Sequence, residues 1–258
     1  MTIEEVAAAL ECSDSKISRI ETARVGATPR DVRDLADLYR VDDAQRERLI
    51  TFAREARQRG WWHAYGGDRT PALVGYESAA TALYVYSALL VPGLLQTERY
   101  ARAVLADLAL DLGGDEVDST IGLRKERQER LKAGTTKFTA VVDEAVLQRL
   151  VGGRDVMRQQ LEYLAEAADQ PNITLLMLPF SARVVPGVDG YFTIIDFADP
   201  DDSDVVYLEG RFNSTYVSSV ENPDELHAYK ETFRRLRGAS LSPAASKSHF
   251  ATRAKELQ

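Results

Sequence analysis

The chain has 258 residues, longer than one typical domain, with 45% hydrophobic and 28% charged residues, a composition that excludes a wholly disordered, collagenous or coiled-coil protein. Its 32 Lys and Arg against 40 Asp and Glu give a net charge of −8, so it is no globally basic nucleic-acid coat. One cysteine, Cys12, cannot form an internal disulfide, and neither a spanning apolar stretch nor a signal-peptide pattern is visible. These features predict a cytoplasmic protein without a membrane segment.

The first sixty residues read as short helices separated by tight turns. Ile3, Val6, Ala7 and Leu10 recur at helical spacing, and Thr2 with Glu5 has the form of a capping box, which predicts a helix of about nine residues. Ser13 is an N-cap for a second helix with Ile17 and Ile20 inward, ending at Gly26. Thr28 and Pro29 open a third with Val32, Leu35, Leu38 and Tyr39 inward. A charged helix through Leu49, Phe52 and Ala56 runs to Arg59-Gly60, where GWWHAYGGDRTP shifts composition and marks a linker.

Beyond it the pattern becomes mixed. Strands are predicted over 84–90, 138–142, 173–178, 191–197 and 205–208, and helices over 97–108, 116–131, 144–150, 154–168 and 223–237. The expected fold is multidomain: an all-α helix-turn-helix bundle over 1–59, a linker over 60–70, and an α+β domain over 71–258.

Two helices joined by the turn at Glu11-Cys12 have the helix-turn-helix layout, in which the second helix enters the major groove with its N-terminal residues toward base edges. Asp14, Ser15, Lys16 and Arg19 are then the base readers, and Thr2, Ser13, Ser18 and Arg24 the phosphate contacts. Residues 13–30 carry four cations against two anions, a local positive footprint. The same residues suit the solvated face of a small bundle.

At these residues the sequence resembles the Cro/repressor-type (XRE) helix-turn-helix domain. Thr2-Ile3-Glu4-Glu5-Val6-Ala7, then Ser13 and Lys16-Ile17-Ser18-Arg19-Ile20-Glu21, follow its pattern. The remainder is similar to actinobacterial regulators with an uncharacterised C-terminal domain, on the strings Arg59-Gly60-Trp61-Trp62, Val91-Pro92-Gly93-Leu94-Leu95-Gln96-Thr97 and Asp143-Glu144-Ala145-Val146-Leu147. The resemblance implies dimeric binding of double-stranded DNA, transcription regulation, and work beside a small partner protein in antitoxin-like or developmental roles. That family carries a further helix ahead of the T-x-E-E segment, and Met1 stands directly on that segment. The bundle is therefore expected to be N-terminally incomplete. The alternative is an interaction protein that acts through its C-terminal domain without binding DNA.

Weaker signals have plainer readings. Ser13-x-x-Lys16 lacks the companion strings of penicillin-binding enzymes, so no catalytic residue is assigned and the chain is expected not to be an enzyme. His63, His227 and His249 have no ligand spacing, so neither a metal nor a cofactor is expected. Gly152-Gly153 reads as a helix break, and the acidic run Asp199 to Asp204 as a solvated loop. Trp61, Trp62 and Tyr65 are candidates for a ligand site or a seam between domains, as is the set Tyr76, Tyr84, Tyr86 and Tyr100. The charged 116–132 helix reads as a salt-bridged exposed face, or as a partner surface.

Overall fold

The structure is a computed structural model that describes residues 1–22, 24–56, 60–65, 71–108, 113–182, 190–198, 203–210, 214–218 and 220–258. The chain forms two compact units, Met1–His63 and Ala64–Gln258.

The first unit holds helices α1 (Ile3–Ala9), α2 (Asp14–Glu21), α3 (Pro29–Leu38) and α4 (Asp43–Glu55). Each begins at a side-chain cap, supplied by Thr2, Ser13, Thr28 and Asp42, and Thr2 and Thr28 close full capping boxes with Glu5 and Asp31. Such caps satisfy amide groups that short helices cannot pair internally. Val6, Ala7 and Ile17 are buried, with Ile3, Leu10, Leu35 and Leu38 packed against them. Three expectations are corrected. Helix α2 stops at Glu21 and not at Gly26. Tyr39 caps α3 at its exposed end. Helix α4 turns Ile50 and Ala53 inward and leaves Leu49 and Phe52 outside, where the Arg48 guanidinium lies over the Phe52 ring at 5.4 Å.

Helices α1 and α3 stop in the same way. The Cys12 amide donates to the Ala7 carbonyl at 2.9 Å with Glu11 at φ +50°, and the Val41 amide to the Ala36 carbonyl at 2.9 Å with Arg40 at φ +55°. These are Schellman closures whose left-handed position normally favours glycine.

The second unit is built on one six-stranded sheet. Its elements are α5 (Pro71–Ala79), β1 (Ala82–Ser87), α6 (Glu98–Leu108), α7 (Gly114–Ala133), β2 (Lys137–Asp143), α8 (Glu144–Gln148), α9 (Arg154–Ala167), β3 (Ile173–Leu178), β4 (Phe192–Asp196), β5 (Val205–Leu208), β6 (Thr215–Ser218), α10 (Pro223–Ala239) and α11 (Pro243–Glu256). The strand order is β3-β2-β1-β4-β5-β6, parallel among β1, β2 and β3 and antiparallel from β1 onward through β4, β5 and β6. Alternation along the strands divides the apolar side chains between two cores. Leu83, Val85, Phe138, Val142, Leu175 and Met177 meet α9 and α11 on one face. Tyr86, Val141, Leu176, Phe192 and Val206 meet Phe233 and Leu236 of α10 on the other. The architecture is an all-α unit followed by an α+β unit. Helices α5 and α11 and strand β6 were not among the elements expected from the sequence.

The outer edge of β3 is sealed at Met177 by the chain that joins α10 to α11 and by the first turn of α11. The Leu241 amide donates to the Met177 carbonyl at 2.9 Å, and the Met177 amide to Ser246 Oγ at 2.9 Å. Before α9, Gly152 has φ +68° and a Cβ there would come 2.9 Å from the Ala103 Cβ. Gly152→Ala is therefore expected to lower the melting temperature of the second unit by several degrees, since it adds left-handed strain to a clash. Glu11→Gly should raise that of the first unit by a few degrees, because it relieves such strain. Calorimetry on the full chain checks both.

Candidate nucleic-acid interface

The helix-turn-helix begins with geometry set by caps. Thr2 Oγ1 accepts from the Glu5 amide at 3.3 Å, and Ser13 Oγ accepts from the Lys16 amide at 3.3 Å. A hydroxyl that accepts from its own helix keeps its proton to donate; that of Ser13 remains able to serve a phosphate oxygen, whereas that of Thr2 turns to the Glu4 carboxylate and lowers its pKa. Asp14, Ser15 and Arg19 are exposed along α2. The Arg19 Nε donates to the Ser15 carbonyl one turn back at 3.1 Å, which holds the guanidinium against the helix surface beside Ser15. Ser18 is half-buried and its carbonyl accepts from Thr22 Oγ1 at 2.6 Å. Arg24 is exposed, and its amide closes on the Arg19 carbonyl at 2.8 Å.

Lys16 behaves differently from the other base-reading candidates. Its ammonium forms an ion pair with Asp31 of α3, whose side chain is 14% exposed. The same Asp31 carboxylate accepts from the Thr28 amide at 3.0 Å and from Thr28 Oγ1 at 2.6 Å. Burial alone would raise the Asp31 pKa, but the hydrogen bonds from Lys16 and Thr28 outweigh it and hold the carboxyl at about 2. Lys16 is thus a tether between α2 and α3. The capping spacing Thr28-x-x-Asp31 was visible in the sequence. The fifteen-residue step from Asp31 back to Lys16 was not.

Charge over the unit as a whole gives little further help. Residues 1–63 hold 11 Lys and Arg against 12 Asp and Glu, so attraction to a polyanion must come from local placement. The acidic balance lies mainly in residues 64–258, with 21 against 28.

Trp61, Trp62 and Tyr65 stand on one short 3-10 turn, Trp61–Tyr65, with the two indole ring centroids 5.9 Å apart and edge to face. Tyr65 belongs to the second unit, where its carbonyl accepts from Ser119 Oγ and its ring rests against Gly122 of α7. Tyr86 and Tyr100 are buried in different cores, Tyr84 meets Phe233 at 5.4 Å, and Tyr76 meets Tyr216 at 5.5 Å. The four tyrosines are therefore divided between the two cores, Tyr84 and Tyr86 on one side and Tyr76 and Tyr100 on the other. His63, His227 and His249 are exposed, and no group of three His, Cys, Asp or Glu suited to a metal occurs among the described residues. Residues 199–202 of the acidic run lie outside the described residues, while Asp204 pairs with Lys230. The 116–132 helix is more than an exposed face, because Arg127 makes a bidentate pair with Glu77 at 2.8 and 2.7 Å, with both side chains largely enclosed.

A family model described as "Domain of unknown function (DUF5753)" matches residues 70–251. The chain belongs to the DUF5753 family. A second model, "Helix-turn-helix domain", matches residues 1–49, covering α1 to α3 and the start of α4. No curated protein and no solved structure matches the chain. The DUF5753 match begins just before α5 and takes in the whole sheet. No described helix is long and apolar enough to cross a membrane.

The helix-turn-helix of this DUF5753 protein should carry an acid-sensitive joint. The Asp31 pKa is depressed from 3.8 to about 2, so the stability it contributes is present above pH 4 and is lost as pH falls toward 2. Asp31→Asn is expected to cost roughly 1–2 kcal/mol at neutral pH and to flatten acid unfolding in that window. Unfolding followed by amide resonances of α2 and α3 measures this. An unchanged acid limb would show that the tether contributes nothing.

Proposed function

We propose that this DUF5753 protein is a cytoplasmic, non-enzymatic transcriptional regulator of Cro/repressor type whose first unit binds double-stranded DNA. In this reading Asp14, Ser15 and Arg19 face base edges from α2, Ser13, Ser18 and Arg24 contact phosphates, and Lys16 fixes the roll of α2 through Asp31. One observation carries it: a matched helix-turn-helix presents a capped α2 whose outward residues are all polar while Ile17 is buried beneath them. The DUF5753 domain is assigned dimerisation and the sensing of a ligand or of a small partner protein. Dimerisation suits the arithmetic of recognition, since one such motif reads only a few base pairs and two must be set about 34 Å apart.

A second reading has its own support. The ion pair on Lys16 and the near-neutral charge of residues 1–63 suit an interaction protein that acts through its DUF5753 domain and does not grip DNA.

Selection of binding sites from random duplexes with the full chain separates the two, because only the regulator enriches a sequence. On a selected site Arg19→Ala is expected to cost about 1–3 kcal/mol and to relax one base position. Arg24→Ala should weaken all sequences alike and lower the salt slope by about one. Failure to enrich any site would favour the second reading. Light scattering on the full chain is expected to give a dimer at micromolar concentration, and a monomer there would remove the dimerisation role.

A further inference from the structure

The string Val91-Pro92-Gly93-Leu94-Leu95-Gln96-Thr97 follows β1 on the carboxyl side of the parallel strands, the side where open α/β sheets place their ligands. Buried amides hold it there. Gln96 Nε2 donates to the Val91 carbonyl at 2.7 Å, Gln128 Nε2 of α7 to the Gln96 carbonyl at 2.7 Å, and Gln160 Nε2 of α9 to the Leu95 carbonyl at 2.7 Å. The Thr97 amide returns a hydrogen bond to Gln160 Oε1 at 2.7 Å.

Against this fixed loop lies Arg124 of α7. Its Nη1 donates to Gln96 Oε1, a neutral acceptor. Its Nε, sealed from solvent and about 4.0 Å from where a Cβ would sit on Gly93, has no hydrogen-bond partner among the described residues. Buried guanidinium groups are ordinarily matched by a carboxylate, and an orphaned N–H is costly. Here the enclosed carboxylate of Glu77 is taken by both arms of Arg127. Glu209, whose charge reaches Arg124, is exposed and forms no ion pair with it among the described residues. Burial and the neighbouring Arg127 push the Arg124 pKa down to about 10, so it still carries its charge at neutral pH. Tyr191, also within electrostatic range, accepts from Thr193 Oγ1 at 3.2 Å and so keeps its phenol proton to donate, while burial raises its pKa. Among the described residues the locality therefore holds one positive charge more than its enclosed carboxylates neutralise, with an unused donor on the fork.

We propose that Arg124, framed by Gly93 and Gln96, is the anion-binding group of the DUF5753 domain and takes the carboxylate or phosphate of a small molecule. The Nε side of the guanidinium supplies the charge-assisted hydrogen bonds that such oxyanions favour. As a description of the sensed ligand it rests on the sensing role proposed above. As a binding site it stands on its own geometry.

The test uses the full chain with inorganic phosphate in one arm and acetate in the other, each against potassium chloride at matched ionic strength. At about ten times its dissociation constant the bound anion is expected to raise the melting midpoint by roughly 2–5 °C. It should also move the Arg124 Nε–Hε resonance, which is identified by its loss in Arg124→Lys. A response to phosphate alone or to acetate alone tells which oxyanion is preferred. Arg124→Met should abolish the midpoint shift, while Arg24→Ala, on the helix-turn-helix, should retain it. If Arg124→Met does not fold, the resonance in the unsubstituted protein decides. No resonance movement with either anion would overturn the proposal, as would a midpoint shift that survives Arg124→Met and disappears in Arg24→Ala. Affinity for a selected DNA site is measured separately with and without the anion. An anion that binds at Arg124 and leaves that affinity unchanged keeps the site and removes the sensing role.

Discussion

The orientation of the helix-turn-helix depends on one carboxylate. Helix α2 has eight residues and buries a single side chain fully, Ile17, which is too little apolar contact to fix its roll. Asp31 supplies the missing constraint, because it is held in place by the Thr28 cap and in turn holds Lys16. The surface that α2 turns outward, with Asp14, Ser15 and Arg19, is set by that pair. On the function proposed above, the lysine held in this way would govern which of its neighbours reach base edges, because displacement of a reading helix by an ångström is enough to lose bidentate geometry.

The second unit solves the corresponding problem with amides. The ten-residue segment between β1 and α6 has few backbone partners of its own; Gln96 braces it from within by binding the Val91 carbonyl, and Gln128 and Gln160 bind its carbonyls to α7 and α9. Networks of this kind stabilise only when every member is satisfied, because the low dielectric that strengthens each bond also penalises a missing one. Against such a background the unmatched Nε of Arg124 stands out as a departure from local practice.

Much of the fold was legible because local rules and tertiary packing agree. Ser13 and Thr28 open their helices as the sequence indicates, and β3 and β5 begin and end where turn residues bound their β-branched runs. The failures have identifiable causes. In α4, Leu49 with Phe52 and Ile50 with Ala53 have the same spacing, so periodicity could not select the inward pair. Helix α11 reads PAASKSHFATRAKE and buries only Ser246, Phe250 and Ala254, too sparse a stripe to stand out. Strand β6 has four residues and buries only Val217 fully, too short a run to give an alternation. At the sites the limit was of another kind. Lys16 and Arg124 look like ordinary solvated cations until partners 15 and 28 residues away are brought to them, and no spacing rule carries that information.

The seal on β3 has a bearing on how the protein is made. The strand reads ITLLML, five of its six residues are buried, and its outer edge is hydrogen-bonded by Leu241 and Ser246, which the ribosome adds some seventy residues later. At a synthesis rate of about 5–20 residues per second, an apolar strand with one open side would wait on the order of several seconds for its cover. During that interval the nascent domain would present the kind of edge that recruits other strands. Chaperone demand should therefore peak late in translation, between emergence of β3 and docking of α11.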